Sequence, residues 1–203
     1  MKDSFAYPVL VMVVLTGVLV FILALLNAST AERVELLEET NLRTSILYVF
    51  QIDVDTDDPE EIEVIFNENV EEEEIEGMRI FTYNENGEAL AYAFPFNGSG
   101  LWGSIEGYAG ITTDLTELIG VVFVDHEETP GLGGRIDELE FREQFRDIDL
   151  TDEEGGDYIV TRPTSGGNID AIAGATQTSN SVVNMLNDDI QWFIDLKGGN
   201  GNG

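Results

Sequence analysis

The sequence predicts an α+β protein in which one N-terminal transmembrane helix precedes a mixed sheet-and-helix domain. Three patterns support this fold class: a long apolar run near the N-terminus, several short β-prone segments in the middle, and an amphipathic segment near the end. The 203 residues are 43% hydrophobic, which is enough to build a core and separates the chain from disordered acidic proteins. Its length fits one globular domain and an accessory segment.

Residues 7–26 predict a membrane-spanning helix. The run YPVLVMVVLTGVLVFILALL contains no charge and, at the helical rise, is about 30 Å long, the thickness of a bilayer's hydrocarbon core. A cleaved signal peptide is the alternative, but the run exceeds the usual apolar length of about 7–15 residues. Lys2 favours a cytoplasmic N-terminus and an extracytoplasmic remainder. We therefore expect residues 1–31 to anchor the chain in the cell (inner) membrane as a single pass.

Residues 32–77 predict a membrane-proximal helix and an acidic insertion. Acidic and apolar residues interleave over 32–50, as in a helix. Carboxylates dominate residues 53–76, which contain one possible short strand at Ile62–Phe66, and this composition is typical of an exposed segment. A calcium loop would need a glycine at its sixth position, which DVDTDDPEE lacks, so a solvated acidic loop is the better interpretation.

The next residues predict a sheet. Met78–Tyr83 and Glu88–Phe96 are β-prone and flank Asn86-Gly87, a strong signal for a hairpin turn. Ser104–Thr113 and Glu117–Asp125 continue the strand pattern, and the second includes LIGVVFV, which is apolar enough for burial on both faces.

The C-terminal third predicts helices and one further strand. Asp137–Phe145 has helical periodicity and Tyr158–Val160 is a short strand candidate. From Thr178 onward a helix is predicted by one apolar stripe, formed by Val182, Leu186, Ile190 and Phe193. We expect one domain over 78–197 and a flexible tail over 198–203.

Composition excludes several chemistries. The chain has no cysteine and one histidine, so thiolate ligands, disulfides, iron–sulfur clusters and multi-histidine metal sites are not expected. The net charge is −31, from 9 basic and 40 acidic residues. Such a surface repels phosphate backbones, so nucleic acid is not an expected partner. Either a saline habitat or a merely soluble acidic surface explains the acidity.

Two glycine-rich stretches could contact a ligand. In GSGLWG, residues 98–103, the glycines would let the backbone approach a flat ligand while Leu101 and Trp102 supply apolar contact, although a glycine turn around a core tryptophan explains the pattern equally well. In DHEETPGLG, residues 125–133, His126 and Glu128 could form an acid–base couple or bind a metal. Turn and hydrogen-bonding roles are the better interpretation there.

A third stretch, DAIAGATQTS at residues 170–179, opens the last helix. The amides of a first helical turn and the helix dipole would attract a phosphate near Thr176. Helix capping by Thr176, Thr178 or Ser179 is the ordinary alternative.

In their order along the chain, the three stretches resemble the FMN-binding domain shared by the C subunit of the sodium-pumping NADH:quinone oxidoreductase (Nqr) and the G subunit of the Rnf ferredoxin:NAD oxidoreductase. His126, Glu128 and residues 129–133 match the family's H-x-E-T-P-G-L-G loop. The later D-x-x-[ST]-G-A-T motif is matched by Asp170, Gly174, Ala175 and Thr176, with Ala173 in place of its serine or threonine. The resemblance covers roughly residues 78–195 and the anchor, and leaves 53–76 unmatched.

The resemblance implies a membrane-anchored electron-transfer subunit with FMN as its cofactor. FMN would be joined to Thr176 by a phosphoester bond that a flavin transferase makes, with Asp170 as part of the sequence this enzyme recognises. Thr178 or Ser179 would be the fallback acceptors. The implied neighbours of the flavin are Leu101, Trp102, Glu128, Thr129 and Leu132, and no metal site is implied.

The implied partners are the other membrane subunits of an Rnf- or Nqr-type complex, the flavin transferase during maturation, and membrane lipid. The chain would relay electrons without turning over a substrate of its own. Two alternatives stay open from the sequence: a stand-alone flavinylated extracytoplasmic electron-transfer domain, and a membrane-tethered binding module without flavin.

Overall fold

A computed structural model of the chain describes residues 6–151 and 157–199. The predicted orientation signal at Lys2 and residues 200–203 of the predicted tail lie outside the described residues. By internal contacts the chain divides into two compact units, Met1–Asn41 and Leu42–Gly203.

The described residues of the first unit, 6–41, are helical. Helix α1 spans Ala6–Val49, so the predicted membrane helix and the predicted helix over 32–50 are one continuous element. From Tyr7 on it is long and apolar enough to cross a membrane, and its most apolar stretch has no buried side chain. Exposed apolar groups such as Leu15 and Phe21 need an apolar surrounding, which a lipid bilayer provides.

The predicted strand at Ile62–Phe66 is wrong. Helix α2 covers Pro59–Asn69, and the side chain of Asp58 caps it by accepting a hydrogen bond of 3.0 Å from the backbone N–H of Glu60. Ile62 and Phe66, one helical turn apart, are both buried. Over residues 59–75 the acidic segment is therefore regular secondary structure, and its carboxylates are exposed as expected.

Leu42–Gly203 contains one six-stranded antiparallel sheet whose strands follow chain order. Its strands are β1 (Val70–Ile75), β2 (Met78–Glu85), β3 (Glu88–Ser99), β4 (Ser104–Thr112), β5 (Glu117–His126) and β6 (Ile148–Asp149). The predicted hairpin is confirmed: Asn86 and Gly87 join β2 to β3 with φ angles of 54° and 83°, as a tight hairpin turn requires.

Short helical turns and one long helix complete the domain. The helical segment predicted over Asp137–Phe145 consists of a 3-10 turn at Gly133–Asp137, helix α3 at Leu139–Arg142, and a second 3-10 turn at Glu143–Phe145. The strand predicted at Tyr158–Val160 is wrong, because the main-chain N–H of Ile159 donates to the side chain of Asn187 instead of a sheet neighbour. Helix α4 spans Thr176–Gly199.

Helices cover both faces of the sheet. Along the strands, adjacent residues such as Ile80 and Phe81 belong to two different apolar clusters, because successive side chains point to opposite faces. The stripe predicted on α4 is fully buried on one face, where Phe193 stacks on Phe94 with ring centroids 4.3 Å apart. The end of α1 and helix α2 pack on the other face. The predicted α+β fold class is confirmed.

A half-buried aspartate on α4 makes the stability of the domain depend on pH. Burial raises the pKa of Asp189 above its ordinary 3.8, the nearby Asp188 adds to the rise, and a hydrogen bond from the Asn97 N–H opposes it. Because the folded chain then binds this proton more tightly than the unfolded chain, stability falls as pH rises through the raised pKa.

We expect Asp189→Asn to raise the melting temperature at pH 7 by about 2 °C and to leave it unchanged below the unfolded pKa. Thermal melts of the full chain across pH 3–8 measure this difference. Asp195→Asn, which removes the same charge from an exposed position on α4, is the control. Equal gains in the two variants would mean that relief of overall charge, and not burial of Asp189, causes the effect.

Candidate functional site

One buried carboxylate brings the three glycine-rich stretches together. Glu128 is only 5% exposed, although it is charged. Its Oε1 accepts hydrogen bonds from the backbone N–H of Leu101 at 2.6 Å and of Trp102 at 3.2 Å. Its Oε2 accepts one from the hydroxyl of Thr178 at 2.8 Å. The loop after β3, the loop after β5 and the first turn of α4 therefore meet at this side chain.

Two of the glycines make room for this carboxylate. A Cβ atom on Gly100 would lie 2.4 Å from Oε1 of Glu128, and one on Gly133 would lie 2.2 Å from Oε2. Side-chain carbons do not approach oxygens so closely, so both positions need glycine as long as Glu128 keeps its hydrogen bonds. At these two positions the glycines accommodate Glu128.

The single histidine stabilises the same loop. Nδ1 of His126 accepts the backbone N–H of Glu128 at 3.2 Å, so its ring proton is on Nε2 and faces Asp137 at 2.8 Å. His126 therefore has the hydrogen-bonding role that the sequence favoured. Within residues 6–151 and 157–199 no group of three acidic or histidine side chains is placed to hold a metal ion.

The start of α4 separates its three hydroxyl groups. Gly174 has a φ of +82°, and the turn it forms ends with Ala175, whose carbonyl accepts the first helical hydrogen bond, from the N–H of Ser179 at 3.0 Å. Thr176 is the first residue of the helix and is exposed, whereas Thr178 and Ser179 are fully buried. Among the three, Thr176 is thus the hydroxyl that solvent can reach.

Ser179 is also occupied by its neighbours. Its hydroxyl accepts the N–H of Ile172 at 3.0 Å and donates to the carbonyl of Ala175 at 3.1 Å. It therefore fixes the turn that precedes Thr176.

Exposed apolar side chains lie beside this helix start. Leu101, Trp102 and Leu132 are 50%, 69% and 48% exposed. Leu132 lies next to the turn before the helix, since a Cβ on Gly174 would be 3.4 Å from its Cδ2. Exposed side chains of this kind can contact a flat ligand.

Thr129 is exposed, and its carbonyl closes the glycine turn by accepting the N–H groups of Leu132 and Gly134 at 3.1 and 3.0 Å. Thr129 thus holds the turn that contains Leu132 through its main chain. Of the five predicted flavin neighbours, Glu128 alone is buried, and it holds the loops instead of presenting itself to solvent.

Asp170 is held by residues that the sequence did not single out. Its exposed carboxylate accepts a hydrogen bond from Arg162 at 2.8 Å. Its main-chain N–H donates to the side chain of Gln144 at 2.7 Å. No spacing pattern in the sequence connects positions 144 or 162 with 170. Residues 170–173, including Ala173, border an open pocket of about 230 Å³ that Arg135 and Phe141 also line.

The region that contains this site is similar in sequence to a known protein family. Residues 100–191 match the model of the FMN-binding domain family. The resemblance to this family that the sequence suggested is confirmed by this match.

Two curated relatives carry the names that the sequence suggested. The G subunit of the ion-translocating oxidoreductase complex of Methanosarcina acetivorans is 28% identical over 194 residues, covering 94% of this chain and 95% of that protein. The C subunit of the Na(+)-translocating NADH-quinone reductase of Pasteurella multocida is 30% identical over 139 residues, covering 63% of this chain and 52% of that protein. The chain thus spans about half the length of this Nqr relative.

Solved structures confirm the fold. The crystal structure of the Na(+)-translocating NADH-quinone reductase C subunit from Parabacteroides distasonis superposes with a TM-score of 0.66 at 25% identity and covers 79% of this chain and 93% of that one. The Shewanella oneidensis NqrC structure gives a TM-score of 0.65 at 19% identity, with 79% and 99% of the chains covered.

The close approach at Gly133 gives a testable prediction. In Gly133→Ala the added methyl group would lie against both Oε2 of Glu128 and Oγ1 of Thr178 and would break the hydrogen bond between them, so we expect a loss of about 1–3 kcal/mol in the free energy of unfolding. Urea denaturation of the full chain measures it. Gly198→Ala is the control, because a Cβ there meets no atom within 4 Å and, within α4, alanine should stabilise the chain if it has any effect. If both variants unfold at the same urea concentration, the carboxylate is not confined as described.

Proposed function

We propose that this chain is a membrane-anchored electron-transfer subunit of an ion-translocating oxidoreductase complex of the Rnf or Nqr type, and that it carries FMN through a phosphoester bond on Thr176. The match to the FMN-binding domain supports the cofactor. The names of the relatives, one of them aligned over nearly its whole length, support the type of complex.

The exposure of the hydroxyl groups at the start of α4 is the observation that carries this proposal. A transferase can modify only a hydroxyl that it can reach, and Thr176 is exposed whereas Thr178 and Ser179 are buried and hydrogen-bonded. The choice of Thr176 over the two fallback acceptors therefore rests on accessibility as well as on the motif.

The residues around Thr176 fit FMN chemically. The backbone N–H groups of residues 176–178 precede the first helical hydrogen bond and can face a phosphate. Leu101, Trp102 and Leu132 offer the apolar contact that a flat ring system needs. FMN, when bound, supplies the electron transfer itself, and these side chains would hold and orient its ring.

The proposed arrangement in the cell rests on α1 and on the basic residue before it. The apolar part of α1 would span the membrane once, and Lys2 would favour an N-terminus in the cytoplasm and a flavin domain outside. The partners would be the other membrane subunits of the complex, surrounding lipid, and a flavin transferase during maturation. A flavinylated chain that purifies without any multi-spanning subunit would instead favour a stand-alone electron-transfer domain.

Intact mass spectrometry of the full chain tests the cofactor and its site together. We expect the native protein to exceed its sequence mass by one FMN less water, Thr176→Ala to lose the whole increment, and Thr178→Val to keep it. Native protein without an increment would contradict the covalent cofactor. An increment that survives in Thr176→Ala would place the bond on another residue.

A further inference from the structure

We propose that Thr178 is a positioning residue that orients the Leu101–Trp102 loop toward the flavin, a role that rests on the function proposed above. Its fully buried hydroxyl donates to Oε2 of Glu128 at 2.8 Å. Oε1 of the same carboxylate accepts the N–H groups of Leu101 and Trp102. One side chain thus connects the helix turn that carries Thr176 with the loop that carries two exposed apolar groups.

The position of Thr178 on the helix suits this role. Residues two apart on a helix point to different sides, so Thr176 can face solvent while Thr178 faces the interior. The acceptor and the positioning residue therefore belong to one rigid turn. A shift of Glu128 relative to this turn would change where the loop stands relative to the proposed attachment point.

Pairing of β3 with β4 fixes the base of this loop at Ser99 and Ser104, and the tip depends on Glu128 for its placement. Within residues 100–103 the backbone is closed by a hydrogen bond from the N–H of Gly100 to the carbonyl of Gly103 at 2.8 Å, while the two central N–H groups donate to Glu128. The side chains of Leu101 and Trp102 are at least half exposed and cannot fix the loop by packing in the core.

Removal of the Thr178 hydroxyl tests whether its hydrogen bond to Glu128 positions the Leu101–Trp102 loop. Thr178→Val keeps the shape of the side chain but leaves a buried carboxylate oxygen without its donor, which is unfavourable. Glu128 can then regain solvation only by moving, and the two amides it binds would lose their acceptor. Thr178→Ser keeps the hydroxyl and should keep the connection.

The control uses a second buried side chain of α4. Oδ1 of Asn187 accepts the N–H of Ile159 at 2.9 Å, in a different part of the domain. Its Nδ2 donates to the carbonyl of Ile159 at 2.8 Å, so Asn187→Ala removes two buried hydrogen bonds from the same helix without touching Glu128.

Hydrogen–deuterium exchange of the full chain, with flavin attached, tests the proposal. In Thr178→Val we expect the amides of Leu101 and Trp102 to exchange about tenfold faster, with wild-type exchange at Ile159. Asn187→Ala should give the reverse pattern, and Thr178→Ser should restore the wild-type rates. The visible absorption spectrum of the bound flavin should change in Thr178→Val and not in Asn187→Ala.

Unchanged exchange at Leu101 and Trp102, or an unchanged flavin spectrum, in a folded Thr178→Val protein would overturn the proposal. If this variant does not fold, Thr178→Cys replaces it, since a thiol keeps the volume but is a weak donor, and the same two amides must respond. A wild-type chain without flavin would instead refute the proposed function, and the mass measurement separates these two failures.

Discussion

The hydrogen-bonded carboxylate of Glu128 is the constraint on which the rest of the site depends. A buried carboxylate is unfavourable unless donors surround it, and here the donors come from two segments that are remote in sequence from position 128. Folding must therefore bring both loops and helix α4 together before this group is satisfied. The same carboxylate also explains glycine at Gly100 and Gly133, because any side chain there would occupy its place.

Patterns of short range were sufficient to predict most elements. The Asn86-Gly87 turn and the stripe on α4 depend on neighbouring residues, and both are confirmed. Helix α2 was missed although its signal was present: Asp58 followed by Pro59 and two glutamates is typical of a helix start. What sequence could not supply is the role of Glu128. Whether a hydroxyl is reachable or buried, as for Thr176 and Thr178, also depends on tertiary contacts that no local pattern encodes.

The acidic segment has a structural explanation that its composition concealed. Strand β1 pairs along its whole length with β2 and occupies one edge of the sheet. An edge strand with four consecutive glutamates, at residues 71–74, resists pairing with other chains because of charge repulsion. Two of these glutamates also pair inside the domain: Glu72 with Arg79, and Glu73 with Lys197 near the end of α4. The segment therefore disfavours pairing of the sheet edge with other chains and links this edge to the last helix through an ion pair.

The use of the basic residues bears on how a flavin phosphate can be held. All seven basic side chains between Leu42 and Lys197 interact within the domain: Arg43 with Glu63, Arg79 with Glu72, Arg135 with Glu138, Arg146 with Glu143, Arg162 with Asp170, Lys197 with Glu73, and Arg142 with the ring of Tyr48. At six of these seven side chains, a phosphate held by charge alone would have to displace a carboxylate, on a chain of net charge −31. Backbone N–H groups at the start of α4 carry no such competitor. The proposed phosphoester on Thr176 would keep FMN attached without relying on these weak contacts. The covalent bond would hold the phosphate, and the N–H groups would only orient it.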